Sequence, residues 1–272
     1  MTNDNCFDSI QVMTVFLKEL EIKNVDNEKT YPYSLSLFVN GLKIVFNKPI
    51  TFIVGENGTG KSTLLESLAK TIGFNTLGGN RNHNFRNLSA DNFDLSKNMK
   101  LSWSFIQNRG FFFRAETFFE FANNLDLLND KSVLSAYGGK SLQQQSHGES
   151  FMSFFENKVK EGLFILDEPE AALSPEKQLS LISILNKLAK TGKCQFIIAT
   201  HSPFLISTPN AELLEIENGK LIKKSYAVTL ASVTGAWIKD GDIYPYGYGG
   251  VNGYNHMHNA SRSLHIWYGD KL

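Results

Sequence analysis

A nine-residue loop, GENGTGKST, lies between a continuous apolar run, ITFIV (50–54), and a helical pattern, LLESLAKTI. Its first eight residues fit G-x-x-x-x-G-K-[ST], a loop that turns its backbone N–H groups around a phosphate. A glycine-rich turn with an exposed lysine would explain neither this spacing nor the flanking strand and helix. We therefore predict a nucleotide site formed by Gly55, Glu56, Asn57, Gly58, Thr59, Gly60, Lys61, Ser62 and Thr63. In such a loop Lys61 reaches the β- and γ-phosphates, and the Ser62 hydroxyl holds Mg²⁺.

A second apolar run, LFIL (163–166), ends in the acidic segment Asp167-Glu168-Pro169-Glu170. Ligands of open α/β folds bind at the carboxyl edge of the sheet, and the acidic residues that end such a strand would lie at that edge. We expect Asp167 to orient Mg²⁺ and Glu168 to polarise the attacking water. An ordinary exit from strand to turn is the alternative, but the preceding phosphate loop favours the catalytic interpretation.

Composition sets broad limits on what the chain does. Its 272 residues carry 27 Lys+Arg and 27 Asp+Glu, which argues against a broadly cationic nucleic-acid binder while leaving a local basic patch open. Two distant cysteines, Cys6 and Cys194, imply no disulfide framework. The N-terminus is acidic, and no apolar run approaches the roughly 20 residues that span a bilayer. We therefore expect a cytoplasmic protein without membrane insertion.

Strand-like runs at 14–22, 34–39 and 42–46, the last after the turn dipeptide Asn40-Gly41, predict an antiparallel region near the N-terminus. A third buried strand, QFIIAT (195–200), follows an amphipathic helix at 179–190. The segment 75–100 reads as loop, and 103–128 is strongly aromatic with helical spacing in its later part.

Four motifs resemble those of a known class of enzymes in both content and order. GENGTGKST, SHGES (146–150), FILDEPEAALSP (164–175) and IIATHSP (197–203) occur as they do in ATP-binding-cassette ATPases. The chain looks most like the small stand-alone bacterial AAA-type ATPases, relatives of the structural-maintenance-of-chromosomes (SMC) head domains, over residues 12–224. The resemblance implies an α/β P-loop NTPase fold with a mainly parallel core sheet and an N-terminal antiparallel β region. A helical lobe, at about 75–160, would be inserted between phosphate loop and signature.

The resemblance also implies roles for single residues. SHGES stands where cassettes carry their signature, so that Ser146 and Gly148 would complete the ATP site of a second subunit. A helix cap without a ligand is the alternative, because Ser146 and Glu149 form a capping-box pattern. His147 and Glu149 depart from the usual LSGGQ. His201 matches the switch histidine that contacts the γ-phosphate, and AALSP (171–175) occupies the position of the loop that touches the partner subunit.

Two assignments stay open at this stage. Gln107, Arg114 or Glu116 is the candidate for the Q-loop residue, although all three could be incidental polar residues in an aromatic core. Tyr31 or Tyr33 is a candidate for stacking on adenine, although both could be ordinary strand residues.

Residues 225–272 differ from the body of the chain. All 21 Phe lie at or before Phe204, whereas five of the 9 Tyr follow residue 240. We expect one ATPase domain over 1–224 and a divergent, ill-ordered tail over 225–272.

Together these features predict an ATPase that uses ATP and Mg²⁺ and closes as an ATP-dependent homodimer to drive or gate a partner. An alternative is an ATP-gated switch module for DNA or a separate nuclease. The motor subunit of a membrane transporter is a further alternative that the unusual signature disfavours.

Overall fold

The computed structural model describes residues 14–23, 30–76, 95–117 and 147–224, and the backbone of 236–239 and 242–245. The strands in these ranges are β1 (Leu17–Ile22), β2 (Leu42–Val45), β3 (Ile50–Gly55), β4 (Met99–Trp103), β5 (Gly110–Arg114), β6 (Gly162–Asp167), β7 (Cys194–Ala199), β8 (Glu212–Glu217), β9 (Lys220–Lys224), β10 (Ala236–Lys239) and β11 (Asp242–Pro245). The helices are α1 (Lys61–Ile72), α2 (His147–Lys158), α3 (Pro175–Lys190) and α4 (Pro203–Ile206). Short 3₁₀ turns span Leu95–Asn98, Ala115–Thr117 and Pro169–Ala172.

The core is a six-stranded sheet in the order β5-β6-β7-β3-β8-β9. Every pairing in it is parallel except that of β8 with β9. Parallel strands are usually covered on both faces and then read as unbroken apolar runs. This is why ITFIV, LFIL and QFIIAT were recognisable as strands, and all three lie in this sheet.

Alternate residues of the central strands contribute to two hydrophobic clusters. Phe52, Phe164 and Phe196 face one cluster with α2 and α3. Ile53, Ile165 and Ile197 face the other, together with α1 and strands from the N-terminal region. The sheet is therefore the middle layer of the domain.

Helix boundaries follow local chemistry. Helix α1 ends at Gly73, whose φ of 91° is left-handed and whose N–H bonds back to Ala69 O. Helix α3 starts with Pro175 at its first position, where a missing N–H costs nothing. Its buried side chains, among them Leu181 and Leu185, recur at helical spacing and point into the core.

A three-stranded antiparallel sheet in the order β2-β1-β4 forms the N-terminal region. It joins the core sheet through Gln195, a fully buried residue of β7. Gln195 Oε1 accepts hydrogen bonds from the N–H groups of Phe16 and Leu17, and its Nε2 donates to Leu17 O. The expected α/β fold, with a mainly parallel core sheet and an antiparallel region, is confirmed.

The prediction of a strand at 34–39 is wrong. Residues 30–40 form consecutive turns closed by local bonds, such as those from Phe38 N and Val39 N to Leu35 O. Leu37 and Phe38 are adjacent and both buried, which a strand with one solvated face does not allow. Asn40-Gly41 therefore leads into β2 without forming the predicted hairpin.

The range predicted for the helical lobe, 75–160, needs correction because it contains two sheet strands. β4 pairs with β1, and β5 pairs with β6. Of the rest of that range, 77–94 and 118–146 lie outside the described residues. In the predicted tail, β10 and β11 pair antiparallel, and the rest of that tail lies outside the described residues.

No helix within the described ranges is both long enough and apolar enough to cross a membrane.

Candidate functional site

The phosphate loop connects β3 to α1, as its sequence predicted. Gly60 precedes the helix with a φ of 100°, a left-handed conformation that residues other than glycine rarely adopt. A Cβ at this position would also come within 3.2 Å of the Phe38 ring. The predicted conformation of the loop therefore depends on glycine at position 60.

Lys61 turns back into its own loop. Its Nζ donates to Gly55 O at 2.8 Å and to Glu56 O at 2.9 Å. The residue is buried, and this burial lowers the pKa of the ammonium while Glu168 and Asp167 oppose the shift. An ammonium has three N–H donors, so two hold the loop and the third can serve a phosphate oxygen.

Two oxygens that could hold Mg²⁺ lie next to each other below the loop. Ser62 Oγ donates to Asp167 Oδ1 at 3.1 Å, joining the start of α1 to the end of β6. A hydroxyl and a carboxylate are the hard oxygen ligands that Mg²⁺ takes beside nucleotide phosphates. Burial raises the pKa of Asp167, and the neighbouring guanidinium of Arg114 opposes the shift. The donor set fits the metal that the sequence predicts.

Arg114 ends β5, directly beside Asp167 in the strand register. Its Nε donates to Asp167 Oδ2 at 3.0 Å, and its Nη2 donates to Glu66 Oε2 at 3.0 Å. Glu66 lies four residues after Ser62 and therefore on the same face of α1. Glu66 was not predicted from the sequence, although its spacing from Ser62 was a usable signal.

Of the three Q-loop candidates, the structure brings Arg114 to Asp167, the carboxylate predicted to hold Mg²⁺. Gln107 precedes β5 and so lies at the opposite edge of the sheet, where its Oε1 accepts from Arg109 N. A five-residue strand spans about 16 Å, too far for Gln107 to reach Asp167. Glu116 follows in the 3₁₀ turn Ala115–Thr117 and is exposed.

Glu168 and His201 meet where two neighbouring parallel strands end. Asp167 and Ala199 are in register, so the residues after them emerge side by side. Glu168 Oε1 lies 3.6 Å from His201 Nε2. Burial and the nearby Lys61 lower the pKa of His201, which favours the neutral imidazole, while Glu168 opposes the shift.

The backbone of Glu168 is unusual. Its φ of 49° and ψ of 52° are left-handed, a conformation that costs a residue with a side chain about 1–3 kcal/mol. Its N–H donates to Ala199 O at 3.0 Å, which helps to hold this conformation. The turn at Pro169 then leads the chain out of the sheet and leaves the Glu168 side chain partly exposed.

A cleft of about 780 Å³ lies between the phosphate loop and the ends of these strands. It is lined by Glu56, Asn57 and Thr59 of the phosphate loop, by Glu168 and His201, and by the turn between β8 and β9. The phosphate loop and the Glu168–His201 pair therefore face the same space.

The structure describes the signature segment only in part. Ser146 lies outside the described residues. Gly148, in the first turn of α2, packs within its own chain, since a Cβ there would come within 3.0 Å of Ala172 O and 2.9 Å of Lys177 Cδ. Close packing of α2 against the turn Pro169–Ala172 is therefore a reason for glycine at position 148.

The two tyrosine candidates have different surroundings. Tyr31 is 59% exposed, and its hydroxyl lies 2.9 Å from Thr63 Oγ1 at the start of α1. Tyr33 is buried in the core, and its hydroxyl accepts a hydrogen bond from Asn98. Neither lies in a strand, and Tyr31 is the one beside the predicted nucleotide site.

Three comparisons place the chain among known proteins. The family described as AAA ATPase domain matches residues 146–206. The lipoprotein-releasing system ATP-binding protein LolD of Buchnera aphidicola subsp. Acyrthosiphon pisum is 24% identical over 232 residues, which cover 75% of this chain and 98% of LolD. The predicted resemblance to cassette-like P-loop ATPases is confirmed by these two matches.

Solved structures with a related arrangement include the SMC head domain from Thermotoga maritima, with a TM-score of 0.43, 14% identity and coverage of 78% of this chain and 100% of that one. A putative metal-chelate type ABC transporter in an inward-facing conformation has a TM-score of 0.48, 16% identity and coverage of 85% and 96%.

Proposed function

We propose that this chain binds ATP with Mg²⁺ and hydrolyses it to ADP and phosphate. The observation that carries the proposal is that the phosphate loop and the Glu168–His201 pair line one cleft, with Lys61 bonded to that loop and Ser62 bonded to Asp167, the residue before Glu168. These groups come from three separate segments of the chain, and a purely structural requirement does not explain why all three converge.

Binding would depend on the phosphate loop. The backbone N–H groups of the loop, the positive N-terminal end of α1 and Lys61 would hold the β- and γ-phosphates. Ser62 Oγ and Asp167 Oδ1 would hold the metal. Mg²⁺ held there would neutralise the negative charge that develops on the phosphates during transfer. Tyr31, exposed beside Thr63, is the proposed contact for adenine.

Hydrolysis would depend on Glu168 and His201. The Glu168 carboxylate accepts a proton from water as the water oxygen bonds to the γ-phosphorus and the bond to the leaving ADP oxygen breaks. Neutral His201 has one N–H donor, which can hold a γ-phosphate oxygen. The left-handed backbone of Glu168 fixes the base where the cleft reaches the strand ends.

The test compares wild type with Glu168→Gln. A positioned general base contributes about 10²–10⁴-fold in rate, so we expect ATPase activity to fall by that factor. Binding of a fluorescent ATP analogue should stay close to wild type, because the amide replaces a group that does not bind phosphate. Hydrolysis by Glu168→Gln at the wild-type rate would show that Glu168 is not the base.

We further propose that two copies close head to tail over two ATP molecules. Ser146 and Gly148 of one copy would then face the phosphate loop of the other, and residues 171–175 would lie at the contact. Light scattering of Glu168→Gln should give a dimer with ATP and a monomer without it. A monomer under both conditions would refute the sandwich.

LolD, named as the ATP-binding protein of a lipoprotein-releasing system, supports a second candidate, the motor subunit of a membrane export system. An ATP-gated partner of DNA or of a nuclease would differ by showing salt-dependent DNA binding that requires ATP. Glu168→Gln, trapped with ATP, can be assayed for both: co-isolation with one defined membrane protein favours the motor, and ATP-dependent DNA binding favours the switch.

A further inference from the structure

The third acid of the segment Asp167-Glu168-Pro169-Glu170 has no part in the steps described so far. Glu170 lies in the turn Pro169–Ala172, yet its side chain points inward. Its Oε1 accepts a hydrogen bond from His201 N at 2.6 Å. Burial raises the pKa of this carboxyl, and the hydrogen bond from His201 N opposes the shift. Its Oε2 is buried and has no hydrogen-bond partner in the described part of the chain.

The bond from His201 N to Glu170 gives an acceptor to the first backbone amide beyond β7 and Thr200. Thr200 N still bonds to Ile53 O in the neighbouring strand, but the chain leaves the sheet at the next residue. A buried N–H without an acceptor is costly, so the first amide beyond the sheet needs a partner. A carboxylate is a strong acceptor for this purpose because the bond is charge-assisted.

Two bonds in opposite directions join the Glu168 turn to the His201 segment. Glu168 N donates to Ala199 O, and His201 N donates to Glu170 Oε1. The same two segments bring Glu168 Oε1 to 3.6 Å from His201 Nε2. The relative position of these two side chains is therefore fixed from both backbones.

A further chain of bonds continues from the same segment. Ser202 Oγ bonds to Gln178 Oε1, and Gln178 Nε2 donates to Leu173 O. Glu170 and Gln178 flank residues 171–175, the loop expected to touch a second copy. The His201 segment is thus attached at both ends of that loop.

We propose that Glu170 is a positioning residue for hydrolysis, which holds the His201 backbone against the turn that carries Glu168. This inference rests on the proposed ATPase function and deepens it. Glu170 touches neither phosphate nor water in this role and acts through His201. A purely structural acceptor would change stability alone, whereas a positioning residue changes kcat in the folded protein.

The experiment compares Glu170→Ala, Glu170→Gln and a matched surface control, Glu156→Ala on α2, whose side chain is exposed. We expect kcat to fall about tenfold in Glu170→Ala, equivalent to one lost hydrogen bond, with KM for ATP·Mg²⁺ within about threefold of wild type. Glu170→Gln should restore most of kcat, because its amide oxygen can still accept from His201 N. Glu156→Ala should behave as wild type.

A double-mutant cycle tests whether Glu170 acts through His201. If it does, Glu170→Ala combined with His201→Ala should be no slower than His201→Ala alone. Should Glu170→Ala fail to fold, Glu170→Asp replaces it, since it keeps the charge but shortens the side chain by one methylene.

Three results would overturn the proposal: wild-type kcat in Glu170→Ala, no rescue by Glu170→Gln, or independent losses in the double variant. Failure of the ATPase proposal itself looks different, because wild type would then not hydrolyse ATP or Glu168→Gln would match it.

Discussion

The middle and the carboxyl end of the same strands differ sharply in what they contain. In the middle of β6 and β7, Phe164 and Phe196 are buried and stack at 5.4 Å between ring centroids. At the ends of those strands stand Asp167, Glu168 and His201, with perturbed pKa values or a left-handed backbone. One strand therefore provides stability along its length and chemistry at its end.

The contrast between the aromatic middle and the polar ends explains how the strained backbone of Glu168 is tolerated. The aromatic middle extends beyond these two rings, since Phe111 packs edge-on against Phe164 at 5.1 Å and Phe155 lies 6.2 Å from Phe196. These ring contacts hold each strand in place along its length, and they therefore also hold the position of its end. The unfavourable backbone of Glu168 is held by a scaffold whose stability does not depend on it.

The largest expected effect is on stability, and it comes from the aromatic middle of the strands rather than from their ends. Phe196→Ala removes a fully buried ring, and we expect the free energy of unfolding to fall by about 3–5 kcal/mol. Urea denaturation measures this loss, while kcat per folded molecule should stay near wild type. Phe204→Ala is the matched control, because Phe204 is 41% exposed. A similar loss in both variants would mean that the middle of the sheet is not the main source of stability.

Arg114→Gln should affect both regions, because Arg114 ends a core strand and also holds Asp167. We expect unfolding to become easier by about 1–3 kcal/mol, since the buried Asp167 loses a charged partner. We also expect a higher Mg²⁺ concentration for half-maximal binding of an ATP analogue. Glu66→Gln, which removes the outer and more exposed contact of Arg114, should show the same two effects at smaller size. Normal Mg²⁺ dependence in Arg114→Gln would make this residue purely structural.

The smallest effect is expected at the amino edge of the sheet. Arg109 pairs with Glu161 at 2.6 Å, but the two side chains are 71% and 41% exposed. Exposed pairs of this kind contribute little, so Arg109→Ala should change the free energy of unfolding by about 0.5 kcal/mol or less and leave ATPase activity unchanged. A loss of activity there would show that the two edges are coupled.

The sequence predicted the buried central strands and the site residues that follow them, because continuous apolar runs and the phosphate-loop pattern are local signals. β5 was missed since GFFFR lies in an aromatic stretch, where a short apolar run fits strand and helix equally. The role proposed for Glu170 was also out of reach. Its contact is with His201, 31 residues away, and no local pattern records a side chain that turns inward.

Gln195 has a consequence for how the domain opens. It gives the amide protons of Phe16 and Leu17 their acceptor, although these residues belong to the other sheet. Exchange of those two protons with solvent requires the sheets to part at this joint, whereas amides within either sheet can stay protected. Phe16 and Leu17 are therefore natural reporters of separation between the antiparallel region and the nucleotide-binding core.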